Sequence, residues 1–282
     1  MNTQMNKTWL ITGTSGGFGR AMAEQLLARG DRVAATTRRL TSLDDLAARF
    51  GERLWRSELD VTNNADIVRV IGKAVADLGR IDVVVSNAGY GLFGAAEEVS
   101  DEQLVRQLDV NLLGSMRLVR AVLPHLRAHG GGRILQVSSV GGQVAYPTLG
   151  VYHASKWGIE GFIEALIPEV APFGIQATLV EPGGARTDWA GSNAERAQPL
   201  SAYEESTVGA MRRRMAAAGL QAFRGDPQKI AKAMIACADE PEAPRRLALG
   251  SDAYEALHST LTARLAALEA QQAIAFSTDV DA

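Results

Sequence analysis

The chain has only one cysteine, Cys237, among 282 residues, which excludes an internal disulfide framework. A lone cysteine fits a reducing compartment. The sequence also has no excess of positive charge, because 29 lysines and arginines stand against 32 acidic residues and leave a formal charge of −3. This balance argues against a nucleic-acid partner, which usually requires a basic surface.

No uninterrupted apolar run reaches membrane-spanning length, and residues 1–7 lack the apolar stretch of a secretory signal. We therefore expect a cytoplasmic protein with no membrane partner. The sequence also lacks internal repeats and proline-rich or serine-rich linkers, which favours a single domain over residues 1–282. With 46% hydrophobic and 22% charged residues, the composition is that of a globular protein.

A metal site is not expected either. His125 and His129 have the four-residue spacing of a zinc-binding pair, but no third ligand stands out and the segment lacks the glutamate of the zinc-protease motif. The three glycines that follow are typical of the end of a solvated helix. Cys237 and Trp157 are expected in the core. The run of three arginines at 212–214 predicts a solvated face, with attraction of an acidic substrate as the alternative.

Short apolar runs alternate with stretches of helical periodicity along most of the chain. Runs that predict strands lie at residues 9–11, 33–35, 59–61, 81–85, 133–137, 175–180 and 247–249. Stretches that predict helices lie at residues 18–27, 67–78, 101–129, 151–170 and 230–237. Such alternation is typical of an α/β fold with a parallel sheet and helices on both faces.

Two segments depart from this rhythm. Residues 185–224 are polar and poor in large aliphatic side chains, and an excursion of this length inside a compact domain predicts a functional lid. Beyond a core at about residues 8–250, apolar residues three or four apart predict an amphipathic helix at about 252–272. Its stripe of leucines, 257 to 268, is expected to cover the body of the protein or a partner subunit.

A glycine-rich turn joins the first predicted strand to the first predicted helix. It reads Thr12-Gly13-Thr14-Ser15-Gly16-Gly17-Phe18-Gly19, with glycines in the pattern G-x-x-x-G-x-G. Glycine lets the backbone approach a phosphate, and the helix that follows offers free N–H groups and the positive end of its dipole. The turn predicts a nucleotide site, and an ordinary glycine-rich turn is the alternative.

Tyr152 and Lys156 lie four residues apart at the start of a predicted helix and therefore share one of its faces. An ammonium group near a phenol favours the phenolate and lowers a tyrosine pKa that is ordinarily about 10. Tyr152 is therefore a candidate general acid/base. The alternative is a surface tyrosine that packs on the stem of a lysine.

These two motifs resemble those of the short-chain dehydrogenase/reductase family, and further motifs agree in order over about residues 8–250. The further matches are Asp60, Asn87-Ala88-Gly89 after the fourth strand, Asn111, Ser139 thirteen residues before Tyr152, and Pro182-Gly183 with Thr187 in the pattern P-G-x-x-x-T. The resemblance implies a single-domain, doubly wound Rossmann sheet. It also implies hydride transfer between a nicotinamide cofactor and a carbonyl or secondary alcohol.

The resemblance implies the site residues as well. The catalytic set is Asn111, Ser139, Tyr152 and Lys156, with Ser138 as the alternative to Ser139. Ser139 would stabilise the substrate oxygen, Lys156 would hold the nicotinamide ribose, and Asn111 would hold a water. The cofactor-binding residues are Gly13, Ser15, Gly17, Phe18, Gly19, Arg38, Asp60, Val61, Asn87, Ala88, Gly89, Tyr152, Lys156, Pro182, Gly183 and Thr187. The family implies a homodimer or homotetramer through the helices near 103–127 and 151–170.

The end of the second predicted strand indicates which nicotinamide is used. It reads Thr36-Thr37-Arg38-Arg39 and lacks the acidic residue that accepts hydrogen bonds from the ribose of NAD. Arg38 offers a planar set of donors that suits a 2′-phosphate. We predict NADP. NAD is the alternative, in which the two arginines are solvated loop charges.

Two other functions stay open. A non-catalytic nucleotide-binding regulator would not need the intact set of four catalytic residues. A sugar-nucleotide epimerase or dehydratase would need more chain after the core than is present here. Within the favoured function, Phe93, Tyr146 and Trp189 fall near motifs that border the pocket and suggest an apolar or aromatic carbonyl substrate.

Overall fold

The computed structural model describes residues 6–189, 191 and 193–280. The strands are β1 (Thr8–Thr12), β2 (Arg32–Thr37), β3 (Leu54–Glu58), β4 (Val83–Ser86), β5 (Leu92–Phe93), β6 (Gly132–Val137), β7 (Ile175–Pro182), β8 (Glu195–Arg196) and β9 (Arg246–Leu249). The α-helices are α1 (Gly17–Arg29), α2 (Asp44–Phe50), α3 (Asn64–Leu78), α4 (Asp101–Leu108), α5 (Gly114–Ala128), α6 (Gly150–Val170), α7 (Thr207–Ala218), α8 (Pro227–Asp239), α9 (Ser251–Glu269) and α10 (Gln272–Phe276).

Seven strands form one parallel sheet in the order β3-β2-β1-β4-β6-β7-β9. The order reverses between β1 and β4, which is the point where doubly wound sheets bind ligands at the carboxyl ends of their strands. The predicted doubly wound, Rossmann-type sheet is therefore confirmed.

Both faces of the sheet are covered, as the continuous apolar strands predict. On one face, α1 and α8 pack through Met22, Leu26 and Met234. On the other, α3, α5 and α6 pack through residues that include Ile67 and Ile163. The central strands are consequently buried on both sides, and every residue of β1 is less than one-tenth exposed.

Three predicted elements differ from the structure. The third strand ends at Glu58, because the carboxylate of Asp60 accepts hydrogen bonds from the amide and hydroxyl of Thr62 and turns the chain. The helix predicted at 101–129 is two α-helices joined by a π-helical turn, Asp109–Leu113. Residues 185–224 contain their own helix, α7, and strand β8, which pairs with β5.

Two side-chain expectations are wrong as well. Trp157 is 42% exposed and lies under the guanidinium of Arg264 on α9, because it points away from the sheet. The solvated face predicted for the arginine run is correct for Arg213 and Arg214, which are exposed, but not for Arg212, which pairs at 2.7 Å with the buried carboxylate of Glu98. Cys237 is buried, as expected.

The C-terminal helices leave most of their apolar side chains uncovered. Leu257 is buried, whereas Leu261, Leu265 and Leu268 are between 46% and 66% exposed. The body of the protein therefore covers only the start of this stripe. Among the described residues, no helix is long and apolar enough to cross a membrane, and no cluster of three His, Cys, Asp or Glu side chains could hold a metal ion.

Candidate active site

The predicted motifs meet at one edge of the sheet. The glycine turn follows β1, Asn87 follows β4, Ser139 follows β6, and Gly183 follows β7. Because parallel strands end on the same side, these four segments surround the point where the strand order reverses. The fold thus brings together residues that are far apart in the sequence.

The glycine turn has the backbone shape that an approaching phosphate requires. Gly13 and Gly17 have positive φ angles of 72° and 55°, which side chains other than glycine rarely adopt. A Cβ on Gly19 would lie 2.4 Å from the carbonyl oxygen of Gly13, so this position has no room for one. A Cβ on Gly16 would meet nothing within 4 Å, which leaves open space over the turn.

The start of α1 completes this cradle. Gly16 provides no side-chain cap, and the first turn of α1 carries no acidic residue. The N–H groups of that turn and the positive end of the helix dipole are therefore available to an anion. Ser15 is exposed, and the Phe18 ring packs on the core, so Phe18 can offer only its backbone. These features fit the pyrophosphate of a dinucleotide.

Asn87 fastens the end of β4 to the end of β1. Its amide nitrogen donates to the carbonyl oxygens of Thr12 and Gly13, at 2.8 and 3.1 Å. In return, the Thr12 hydroxyl accepts from the backbone N–H groups of Asn87 and Ala88. A Cβ on Gly89 would stand 3.2 Å from the Asn111 side chain, so this motif also borders the catalytic set.

The remaining predicted cofactor residues lie around the same edge. Asp60 is exposed after β3 and Val61 is buried beside Gly114. The side chain of Arg38 is exposed at the end of β2, and no hydrogen bond or ion pair to it occurs within the described residues. Thr187 approaches Gly17, since a Cβ there would lie 3.7 Å from its methyl group. This last contact brings the P-G-x-x-x-T motif next to the glycine turn.

Tyr152 and Lys156 project from the first turns of α6 toward Ser139. Tyr152 is 5% exposed and Lys156 is 6% exposed. The ammonium nitrogen of Lys156 lies 5.7 Å from the centre of the Tyr152 ring and donates to the carbonyl oxygen of Val137 at 3.0 Å. Ser139 Oγ accepts from the N–H of Gly141 at 3.0 Å, and its hydroxyl hydrogen can be donated to the phenolic oxygen of Tyr152.

The pKa of Tyr152 runs opposite to the expectation from its lysine neighbour. Burial raises it to about 12, and the interaction with Ser139 lowers it only in part. Burial also lowers the pKa of Lys156 to about 8. The pKa of Tyr152 is set by burial, Ser139 and Glu160, whereas the ammonium of Lys156 donates to the carbonyl oxygen of Val137. Tyr152 is therefore a protonated group at neutral pH in the free protein.

Asn111 lies in the π-helical turn between α4 and α5, a feature that is frequent at functional sites. Its side chain accepts from the N–H of Tyr90 and donates to the carbonyl oxygen of the same residue. A longer contact of 3.4 Å reaches the hydroxyl of Ser155. Asn111 thus ties α6 to the chain that follows the Asn87 motif.

Aromatic side chains surround Tyr152. The ring of Trp189 lies 4.9 Å from that of Tyr152 and 5.6 Å from that of Phe93. The indole also packs on Gly91, where a Cβ would come within 2.7 Å of it. Tyr146 lies on the far side of His153, with ring centres 5.8 Å apart. Phe93 and Trp189 thus lie within one cluster with Tyr152, and Tyr146 lies at its border.

Sequence reasoning missed several residues that shape the site. Asp252, at the start of α9, accepts a hydrogen bond from the N–H of Gly184 at 2.7 Å and closely approaches Gly183. Glu98 accepts from the N–H groups of Ala95 and Leu200 in addition to Arg212. Neither residue belongs to a recognisable motif, because Asp252 contacts Gly184 and Glu98 contacts Leu200, both far away in the chain. An acid in the first turn of a predicted helix was the only available signal for Asp252.

Comparison with known proteins agrees with this arrangement. The sequence profile of the short chain dehydrogenase family matches residues 7–198. An oxidoreductase of Botryotinia fuckeliana, BOA17, is 42% identical over 256 residues, which cover 89% of this chain and 91% of that protein.

Two solved structures extend the likeness to three dimensions. A short-chain dehydrogenase from Streptomyces avermitilis superposes with a TM-score of 0.91 at 39% identity, covering 98% of this chain and 100% of the other. An alcohol dehydrogenase from Thermococcus sibiricus, complexed with 5-hydroxy-NADP, superposes with a TM-score of 0.71 at 28% identity, covering 86% of this chain and 95% of the other. The chain therefore belongs to the short-chain dehydrogenase family and is an oxidoreductase with a nucleotide-binding Rossmann fold.

Proposed function

We propose that this oxidoreductase uses NADP(H) to reduce a carbonyl to a secondary alcohol, with Tyr152 as the general acid. The convergence of Tyr152, Lys156 and Ser139 at the carboxyl edge of the sheet supports this most strongly. Tyr152 and Lys156 lie on α6, and Ser139 follows β6. A protonated, buried phenol beside a serine hydroxyl suits the protonation of an oxygen.

The chain's own residues would hold the cofactor along this edge. The N–H groups of the glycine turn and of α1 would bind the pyrophosphate, with Asp60 and Val61 near the adenine. Lys156 would hold the nicotinamide ribose, and the residues after β7 would border the nicotinamide. When bound, the nicotinamide supplies the hydride.

The protein then supplies position and a proton. With substrate bound, the Ser139 hydroxyl would donate to the substrate oxygen and stabilise the charge that develops there. The Tyr152 hydroxyl donates the proton that converts this oxygen to an alcohol. Since burial keeps the pKa of Tyr152 near 12, the phenol is still protonated at neutral pH and is ready to donate. A protonated phenol is the state that reduction of a carbonyl requires.

The surroundings of Tyr152 favour an apolar substrate. Phe93 and Trp189 offer flat apolar surfaces on the approach to the phenol, and Tyr146 lies near them. Such surfaces stack on aromatic rings and exclude water from them. We therefore propose an aromatic or otherwise apolar ketone or aldehyde. The buried lone Cys237 agrees with a cytoplasmic location.

A panel of carbonyl compounds tests this function. Each compound is added to the protein with NADPH or NADH, and the loss of nicotinamide absorbance is recorded. We expect turnover of aromatic ketones with NADPH, and little turnover of small charged ketoacids. Absence of turnover with every compound, and with alcohols plus the oxidised cofactors, would leave the regulator or epimerase functions in its place.

Residues 185–224 are proposed to act as a lid over this site. Trp189 covers Tyr152, and residues 193–217 contact the body of the protein through the two-residue pairing of β5 with β8 and through polar contacts to Glu97, Glu98, Gln103 and Arg106. A segment held mostly by polar surface contacts can open locally. We expect fast hydrogen exchange of residues 193–217 in the free protein and slower exchange with NADP plus a substrate. Peptides from β4 should stay protected in both states. Equal protection of 193–217 with and without ligands would contradict a lid.

We also propose that the chain assembles as a homodimer or homotetramer. Leu104, Val105 and Trp157 expose between 37% and 62% of their surface on α4 and α6. Exposed apolar side chains on neighbouring helices are typical of subunit interfaces. Light scattering at assay concentration is therefore expected to give two or four times the chain mass of 30.0 kDa. A measured mass of one chain would refute this.

A further inference from the structure

The helix face that carries Tyr152 and Lys156 continues with two carboxylates. Glu160 and Glu164 follow Lys156 at steps of four residues, so all four side chains share one stripe of α6. Glu160 is only 3% exposed, although a carboxylate is costly to bury without partners. A buried anion thus lies one turn beyond the buried Lys156.

The partners of Glu160 come from two other parts of the fold. Ser138 Oγ donates to Oε1 of Glu160 at 2.5 Å, and Arg246 on β9 donates to Oε2 at 2.6 Å. Arg246 also donates to Glu181, a buried residue of β7, and to Glu164 at 2.9 Å. We refer to Glu160, Glu164, Glu181 and Arg246 as the Glu160 cluster.

Two carboxylates of this cluster, Glu160 and Glu181, hold the chain on both sides of Ser139. The Ser138 hydroxyl donates to Glu160, and the Lys156 ammonium donates to the carbonyl oxygen of Val137. Helix α6 therefore holds the two residues that precede Ser139. After Ser139, a Cβ on Gly142 would lie only 1.7 Å from Oε1 of Glu160, which shows how closely this loop packs on the carboxylate. Gln143 donates to Glu181 at 2.8 Å.

Within the cluster, Glu160 also contributes to the charge around the acid/base pair. The titratable and charged groups that face Glu160 are Tyr152, Lys156 and Glu164 on α6, Glu181 on β7 and Arg246 on β9. Glu160 opposes the fall that burial causes in the pKa of Lys156, and it raises the pKa of Tyr152. Removing its charge therefore lowers both pKa values.

We propose that Glu160 is a positioning residue of this enzyme, which holds the Ser139 loop through Ser138 and places a buried carboxylate one helical turn from Lys156. The proposal rests on the proposed function, since it assumes that Ser139 and Lys156 act on substrate and cofactor. A merely structural role would change stability alone. The role proposed here also changes the pH dependence of turnover and of cofactor binding.

Glu160→Gln tests the proposal, with Glu164→Gln as the matched control. Both changes remove one carboxylate that binds Arg246 from the same stripe of α6, but the Glu164 side chain is 37% exposed. In Glu160→Gln, kcat/KM is expected to fall by about tenfold or more, because the Ser139 loop shifts. Its alkaline limb should move down by about one pH unit, from near 8. Glu164→Gln should keep the wild-type pH profile.

Cofactor affinity provides a readout that needs no turnover. Titration of NADPH fluorescence from pH 6 to about 9 should show affinity lost at lower pH in Glu160→Gln than in the wild type, since a charged Lys156 favours binding. This shift distinguishes the present proposal from the proposed function if no carbonyl is turned over. Coincident pH profiles of Glu160→Gln and the wild type, in turnover and in binding, would overturn it.

A second variant keeps the test decisive if Glu160→Gln does not fold. Glu160→Asp keeps the charge near Lys156 but withdraws the carboxylate from Ser138. We expect a wild-type alkaline limb together with a reduced kcat, and thermal unfolding confirms that the variant is folded. Equal kcat values for Glu160→Asp and Glu164→Gln would overturn the positioning role. A shifted alkaline limb in Glu160→Asp would overturn the role as counter-charge.

Discussion

Tyr152→Phe is expected to lower kcat by about 10²–10⁴-fold, the range typical of a lost general acid. The change removes only the phenolic oxygen, and the ring can still pack against Trp189 at the present spacing of 4.9 Å. Ser139 and Lys156 stay in place, so stabilisation of the substrate oxygen and binding of the cofactor persist. Steady-state kinetics with the best carbonyl from the panel measures the loss.

Two controls separate lost chemistry from lost folding or binding. Tyr254→Phe makes the same change at a tyrosine that is 65% exposed on α9, and its turnover should equal that of the wild type. NADPH fluorescence should give Tyr152→Phe the wild-type affinity. Turnover of Tyr152→Phe within a few-fold of the wild type would mean that another group donates the proton.

The pH dependence of reduction follows from the same two side chains. Lys156 is charged below its pKa of about 8, and Tyr152 is protonated below its pKa of about 12. As pH rises, the charge on Lys156 is therefore lost first. The alkaline limb of kcat/KM in the wild type consequently reports the loss of charge on Lys156. This is the limb that Glu160→Gln is expected to shift.

The sequence was most informative where a local pattern has a local cause. The glycine turn, the apolar strands and the Tyr152–Lys156 spacing each depend on neighbouring residues, and the sheet follows from their alternation. The third strand was placed too far along because Leu59 and Val61 are apolar, whereas the turn at Asp60 depends on a single side-chain contact. The prediction that Trp157 lies in the core failed for a similar reason, because the size and polarity of a side chain do not reveal which helix face it occupies.

Contacts between residues that are far apart in the chain could not be predicted from the sequence. Glu160, Asp252 and Glu98 each hold a segment that is at least about twenty residues away. Such partners become neighbours only when the sheet forms. The pKa of Tyr152 departs from its sequence-based expectation for the same reason, because it is set by burial, Ser139 and Glu160.

Arg38→Ala is expected to weaken NADP binding by about 10–150-fold and to leave NAD binding nearly unchanged. The range corresponds to the roughly 1.5–3 kcal/mol that a hydrogen bond to a charged group contributes. Arg38 lies at the end of β2, beside the edge where the glycine turn would hold the pyrophosphate, and its side chain is exposed. A guanidinium in this place can bind both oxygens of a 2′-phosphate.

Arg39→Ala is the matched control, because Arg39 is the next residue, is exposed to the same solvent and carries the same charge. If only general attraction to phosphate matters, both variants lose similar affinity for NADP, and raising the salt concentration removes the difference from the wild type. If Arg38 binds the 2′-phosphate directly, its loss is much the larger. Equal weakening of NADP and NAD in Arg38→Ala would contradict the direct contact.

The double change Thr37→Asp with Arg38→Ala should reverse the cofactor preference. Thr37 is buried at the end of β2, and its hydroxyl accepts from the N–H of Arg39 at 3.4 Å, a role that a carboxylate can take over. An aspartate there can also accept hydrogen bonds from the ribose hydroxyls of NAD, while it repels a 2′-phosphate. The ratio of kcat/KM for the two cofactors measures the outcome. A wild-type enzyme that already prefers NAD would refute the assignment of NADP, because the end of β2 would then bind ribose without any acid.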